Sequence, residues 1–243
     1  MKKSIFFLAA VLVLTVTCKT PKIQELPEIY SYNNDTTGTQ ISIEFTKGKE
    51  FNHPLFAFWI EDEKSNFVQT LYVSQSIGKG VFEHGNTGSG VWMPGPIMRP
   101  AALPRWSHQR GIVNSNGLYL PDEKNPIADA YTGATPKGDF VLNTIIEGNN
   151  LRKFNVYMEI NQTWDWNEYW TNSKYPEDAE YKTSCQPALI YRAEVDLDST
   201  VKTYELKAIG HSHYSGKTGE IFTDLSTITT ALEITKSIQV IIK

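Results

Sequence analysis

From residue 40 onward, apolar side chains recur at every second position over short runs. Ile41, Ile43 and Phe45 alternate with polar neighbours, as do Phe154, Val156, Met158 and Ile160. The same spacing returns in Leu189, Tyr191, Ala193 and Val195, and in Tyr204, Leu206 and Ala208. Successive side chains of a strand point to opposite faces, so this period predicts strands with one buried face. Leu55 to Ile60 and Phe67 to Val73 are two β-rich runs separated by residues 61–66, a hairpin pattern. Val141 to Ile146 and Ile238 to Ile242 complete a set of eight strand-like runs, and no stretch has convincing helical amphipathicity. The pattern predicts an all-β fold, an antiparallel β-sandwich of immunoglobulin-like form.

Residues 76–136 break the pattern. Seven of the twelve prolines and many glycines fall here, with Trp92, Trp106 and Tyr119 between them. Proline lacks the backbone donor that a helix interior or a central strand requires, so long Pro/Gly-rich loops are expected, with one short helical turn near residues 101–109. No repeat and no internal boundary divides residues 40–243, which read as a single domain.

The N-terminal segment follows a different logic. Two lysines, an apolar run from Ile5 to Leu14 and then Cys18 resemble a bacterial lipoprotein signal peptide, removed before a cysteine that becomes acylated. The run is shorter than the roughly 20 apolar residues needed to span a bilayer. Residues 1–17 are therefore expected to be the signal peptide, Cys18 the lipidation site, and residues 18–39, rich in Pro, Asn, Thr and charge, a tether. The protein should be exported to the periplasm or outer membrane, held to the membrane through its lipid.

Composition narrows the partners. Apolar residues make up 40% and charged residues 21% of the chain, which suits a globular core. The net charge of −4 comes with scattered basic residues, so no run of phosphates could be neutralised and nucleic acid is set aside. With Cys18 acylated, Cys185 has no partner within the chain and reads as a small buried hydrophobe.

Three stretches, Phe56-Ala-Phe-Trp-Ile-Glu-Asp62, Ala128-Asp-Ala-Tyr-Thr-Gly-Ala-Thr-Pro-Lys-Gly138 and Gly210-His-Ser-His-Tyr-Ser-Gly-Lys217, occur together with Asp224-Leu-Ser-Thr-Ile-Thr-Thr-Ala231. In this combination the chain resembles a family of predicted periplasmic proteins catalogued as domain of unknown function 2271, in a Bacteroidetes-type lipoprotein version. The resemblance covers the chain from about residue 40 and implies an envelope location, an immunoglobulin-like sandwich and neighbouring flavin-linked redox proteins.

Within it, Asp129-Ala-Tyr-Thr-Gly-Ala-Thr135 is similar to the acceptor motif of proteins modified by the periplasmic flavin transferase. The resemblance makes Thr135 the hydroxyl that forms a phosphoester with FMN, with Asp129, Thr132, Gly133 and Ala134 as recognition residues. Such a carrier would pass electrons among envelope redox proteins. The same residues also read as a plain turn, Thr-Pro-Lys-Gly, feeding the strand that starts at Asp139.

Two further groups invite a chemical reading. Trp164, Trp166, Tyr169 and Trp170, interleaved with Asp165 and Glu168, suit either an aromatic platform for a glycan or peptide or the anchoring of a loop to the sandwich edge. His211 and His213 share a strand face by spacing and offer two imidazoles to a metal, or simply pack. Acid pairs such as Glu61 with Asp62, and Glu177 with Asp178, read as solvated turns. No nucleophile elbow, phosphate loop or paired-cysteine metal motif occurs, so the expected role is non-catalytic: an accessory or binding component of the envelope. A covalent FMN carrier is the alternative and a glycan-binding module the third reading.

Overall fold

The computed structural model describes residues 26–86, 90–148 and 151–243. The signal peptide, Cys18 and the first part of the tether lie outside the described residues. The elements run β1 (Glu28–Ser31), β2 (Gly38–Lys47), β3 (Leu55–Asp62), β4 (Phe67–Ser74), α1 (Gln75–Lys79), β5 (Val81–Asn86), β6 (Trp92–Pro96), α2 (Pro104–Gln109) and β7 (Thr132–Gly133). They continue with β8 (Phe140–Glu147), β9 (Lys153–Asn161), α3 (Tyr181–Ser184), β10 (Leu189–Asp196), β11 (Thr203–Glu205), β12 (Lys207–His211) and β13 (Thr235–Ile242).

Two sheets pack as a sandwich. The first has the order β1-β8-β2-β13-β11 and the second β12-β10-β9-β3-β4-β7, while β5 and β6 form a separate hairpin. Between the sheets lie the alternating residues: Ile41, Ile43 and Phe45 of β2 face Phe56, Phe58 and Ile60 of β3, with Phe140, Val156, Met158, Tyr191 and Val240 around them. Phe45 stacks on Phe140 at 4.8 Å, and Phe56 meets both edge-on.

The second sheet is also covered on its outer face. Ala57, Trp59, Val73, Tyr157 and Ile190 pack there against Ile77, Ala102, Leu103, Trp106 and Leu120 from the proline-rich middle. A strand buried on both faces needs no polar alternation, which is why β3 reads as an unbroken apolar run. The expected short helical turn is α2, where Pro104 stands at the N-terminal turn that tolerates it.

Three expectations need correction. The sheets are mixed rather than purely antiparallel, because the short edge strands β1 and β7 pair in parallel with β8 and β4. Residues 28–31, expected in the tether, form β1, and β2 already starts at Gly38, so the fold begins before residue 40. The run Tyr204, Leu206, Ala208 is not one strand: β11 pairs with β13 in the first sheet, and after the buried Leu206 the chain enters the second sheet as β12. Period-two spacing persists across such a switch because both halves face the same core.

Strand registers place all long connections at one end. Leu55, Asn161, Leu189 and His211 of the second sheet lie there, with Lys47, Phe140 and Thr235 of the first. Residues 48–54, 75–139, 162–188 and 212–234 leave from this loop end. β1 also enters here, since Glu28 is paired with Phe140. At the opposite, turn end the connections are residues 32–37, 63–66, 148–152 and 197–202.

Candidate functional site

The flavin-acceptor motif, the aromatic segment and the histidine pair singled out from the sequence all belong to the loop end. The Asp129–Thr135 stretch begins with a 3-10 turn, Asp129–Tyr131. The Asp129 carboxylate lies 2.6 Å from the Lys79 ammonium, which also donates to the Ile127 carbonyl at 2.7 Å. Thr132 and Gly133 then form β7, pairing with Val73 and Ser74, and both are buried. A Cβ on Gly133 would lie 1.9 Å from the Tyr32 hydroxyl, so any larger residue here would displace the Tyr32 side chain. The Tyr72 hydroxyl donates to the carbonyls of Gly133 and Ala134 at 3.2 and 2.8 Å. Ala134 is exposed, and Thr135 is half-buried on the rim of a groove of about 520 Å³ that Lys79, Phe82, Pro94 and Lys137 also line. The middle of the motif is therefore sheet, and only its end is loop.

The aromatic segment divides. Trp170 is buried among Tyr181, Tyr214 and His211, its indole N–H donating to the Thr227 hydroxyl at 3.1 Å. Trp164, Trp166 and Tyr169 stay 52%, 56% and 52% exposed, and Trp92 of β6, 57% exposed, meets Trp164 edge-on at 5.6 Å. Asn167 fixes the segment. Its carbonyl oxygen accepts the N–H of Tyr169 and Trp170 at 2.9 and 2.7 Å, and its amide donates to Gln186, Thr227 and Thr229. Trp164 adopts φ 59, a left-handed conformation that a bulky residue keeps only when its surroundings over-determine it. Of the two sequence readings, Trp170 is an anchor and the other three rings are presented to solvent. Lys174 bridges the groups: its ammonium sits 3.0 Å from the Tyr169 ring centroid and 4.8 Å from that of Trp170.

The histidine pair is corrected. β12 ends at His211, so His213 is off the strand. His211 is buried, stacks on Phe222 at 5.4 Å and bonds the Ser212 carbonyl through Nδ1 at 2.8 Å. His213 stacks instead on Tyr214 at 4.5 Å. Burial lowers the pKa of both, holding them neutral. Among the described residues, no three His, Cys, Asp or Glu side chains come together to hold a metal. Cys185 is buried, as expected.

What the sequence reading missed is a buried polar cluster on the outer face of the second sheet. Glu61, expected in a solvated turn, is fully buried; Asp62 alone takes the turn position. Glu61 accepts from the Trp59 indole at 2.9 Å and from the Arg105 guanidinium at 3.2 and 3.3 Å. Glu159, also fully buried, accepts the N–H of Arg105 and Trp106 at 3.1 and 2.8 Å and the hydroxyl of Ser212. It thereby caps the first turn of α2, whose leading N–H groups have no partner within the helix. Burial pushes the Glu159 carboxyl up to about 7, against the opposing pull of those hydrogen bonds and of Arg105. The available signal was a glutamate in each of two strands on the same face as Trp59 and Tyr157. Neither carboxylate is open to solvent, so both hold the loop layer on the sheet rather than meet a ligand.

A second groove, of about 520 Å³, lies beside the aromatic segment between residues 174–179 and Tyr214. No helix among the described residues is long and apolar enough to cross a membrane. Comparison with family models, with curated proteins and with solved structures finds no match.

Proposed function

We propose that the chain is an exported, lipid-anchored β-sandwich of the cell envelope that acts by binding rather than by catalysis, as an accessory component in the periplasm or at the outer membrane. The observation that carries this reading is the gathering of the long connections at one end, with Trp92, Trp164, Trp166 and Tyr169 half-exposed there over a rigid base. Binding residues concentrate on loops that a stiff scaffold positions. The anchor fits the same geometry. Ten residues separate Cys18 from Glu28 and span at most about 35 Å, so a lipid on Cys18 keeps the loop end near the membrane. Mass measurement of the N-terminal peptide after export should find an acylated Cys18, and Cys18→Ala should release the protein into the soluble fraction. Cleavage elsewhere, or an unmodified Cys18, sinks the anchor.

The covalent FMN carrier is the second reading, favoured by one observation: Thr135 stands half-exposed on a groove lined by Phe82, Lys79 and Lys137. In this reading a flavin transferase breaks the pyrophosphate bond of a flavin dinucleotide: the Thr135 hydroxyl loses its proton and takes the FMN phosphoryl group in a phosphoester, and the nucleoside monophosphate leaves. Co-expression with that transferase and peptide mass at Thr135 test it, with Thr135→Ala as the blank. An unmodified Thr135 beside a modified control acceptor ends the reading.

A further inference from the structure

We infer that the groove formed by Tyr175, Tyr214 and the charged side chains around them binds a neutral saccharide. The inference rests on the loop end being the binding face. Three rings stack in series: His213 on Tyr214 at 4.5 Å, and Tyr214 on Tyr175 at 4.1 Å with only 6° between the planes. Tyr181, buried beneath, meets Tyr175 and Tyr214 edge-on at 4.9 and 5.7 Å. Tyr175, which ends the stack and is partly exposed with the Lys174 ammonium 6.0 Å from its ring centroid, is therefore fixed before any ligand arrives, which removes an ordering cost from binding.

Around these rings stand two ammonium groups, Lys174 and Lys217, and two carboxylates, Glu177 and Asp178. Their charges balance. A groove selecting an anion would carry an excess of cations, and one taking an apolar ligand would not be rimmed by charge. A sugar satisfies both parts of this lining: its C–H face lies on a ring, while its hydroxyls donate to carboxylates and accept from ammonium groups. Asp178 is held for that role. It accepts the N–H of Tyr181 at 3.0 Å and lies 3.5 Å from the Lys217 ammonium. Although burial acts to raise its pKa, these contacts and the Ser215 hydroxyl hold it below the usual value, so it remains an ionised acceptor. Lys174 donates to the Tyr169 carbonyl at 3.1 Å while covering the Tyr169 ring, which joins the groove to the exposed aromatic segment. The groove is open to solvent along one side, as an oligosaccharide needs.

The test uses the full exported chain in detergent. It is applied first to an immobilised panel of neutral and anionic oligosaccharides, then titrated calorimetrically with the tightest neutral binder. A neutral oligosaccharide should bind, and Tyr175→Ala should weaken it about tenfold or more, the effect of losing one good contact. Because Tyr175 also packs on Tyr181, the exposed Glu177→Gln and Lys217→Met supply variants that leave the packing intact, and each should weaken binding severalfold. Thr135→Ala should leave it unchanged. Binding of no neutral oligosaccharide, preference for anionic ones, or affinity in Glu177→Gln and Lys217→Met equal to that of the wild type overturns the proposal. The N-terminal peptide mass, read separately, reports the anchor: an unacylated chain that still binds sugar leaves the groove standing and removes only the lipid.

Discussion

At the turn end of the sandwich, strands are joined through four to six residues, whereas at the loop end residues 48–54 form the shortest link and residues 75–139 the longest. Both ends close the same strands over the same core. The short connections are built from local chemistry: the Asp62 carboxylate accepts the N–H groups of Lys64 and Asn66 at 2.8 and 2.9 Å, turning the chain within a few residues. The long ones are held by distant partners, such as Glu159 to Arg105 and Asn167 to Thr227. Each doubling of loop length costs only about 0.6 kcal/mol in closure entropy, so a core of this size supports one elaborate end without loss of the fold. The difference lies in reach: most of the turn end is closed by contacts a few residues apart, whereas the loop end depends on side chains that meet across many residues.

The largest expected effect tests whether the loop end is fastened through Glu159. Its carboxyl titrates at about 7 when folded and near 4.5 when free. A raised folded pKa means that the folded state holds the extra proton. The stability it contributes is fully present below about 4.5 and is lost as pH rises through 7, about 3 kcal/mol at 1.36 kcal/mol per unit. Denaturant unfolding of the protein and of Glu159→Gln across pH 4.5 to 8 should show their difference changing by that order, the wild type losing ground as pH rises. Hydrogen exchange should show α2 and residues 212–216 loosening before the strands. Parallel stability curves would falsify the assignment. Groups with lowered pKa, including Glu28, Asp178 and Asp224, act in the opposite sense at lower pH and cancel in the comparison.

The two ends also differ in how far they could be read from sequence. Alternation placed Ile41, Phe45, Val156 and Tyr191 in the core, and the unbroken β3 run followed by residues 61–66 gave the hairpin, because period and turn chemistry are local. The proline-rich middle was legible as lacking a long helix or a central strand, but neither its β5–β6 hairpin nor its role as the layer that buries Trp59 and Tyr157 was. That role is set by contacts many residues apart, Trp106 to Thr70 and Arg105 to Glu61. Glu61 was misread because a glutamate beside an aspartate looks like a turn unless its arginine partner is known. The saccharide groove joins residues 174–178 to residues 214–217, two loops with no shared pattern. β1 was hidden for a different reason: an edge strand pairing on one side needs little apolar content, and its Ile29 is exposed.

A middle-sized effect should separate the ends cleanly. Asn167→Ala removes two N–H donors, shared among Gln186, Thr227 and Thr229, and a carbonyl that accepts the Tyr169 and Trp170 N–H groups. The partners left behind are partly buried, so the expected loss is about 1–3 kcal/mol. It should be confined to the loop end, with a red-shifted tryptophan emission and faster exchange at residues 164–170. Unchanged protection at β3 and β4 is the other half of the prediction; a uniform loss across both ends would mean that Asn167 serves the whole core.

The smallest effect turns on a conformation that both ends share. Ser65 at the turn end has φ 62 and Trp164 at the loop end φ 59, each in the left-handed region. Holding a side-chain-bearing residue there costs roughly 1–2 kcal/mol, while glycine returns about 0.5–1 kcal/mol of that through its freer unfolded chain. Ser65→Gly keeps the backbone contacts of the turn, the N–H donated to Asp62 and the carbonyl that accepts from Gln109, and should raise stability by about 0.5 kcal/mol. Trp164→Gly relieves the same strain but removes the ring that meets Trp92, so it should not stabilise. Equal gains at the two positions in denaturant unfolding would show that the strain at Trp164 supports nothing, and that the loop end is ordered for closure alone.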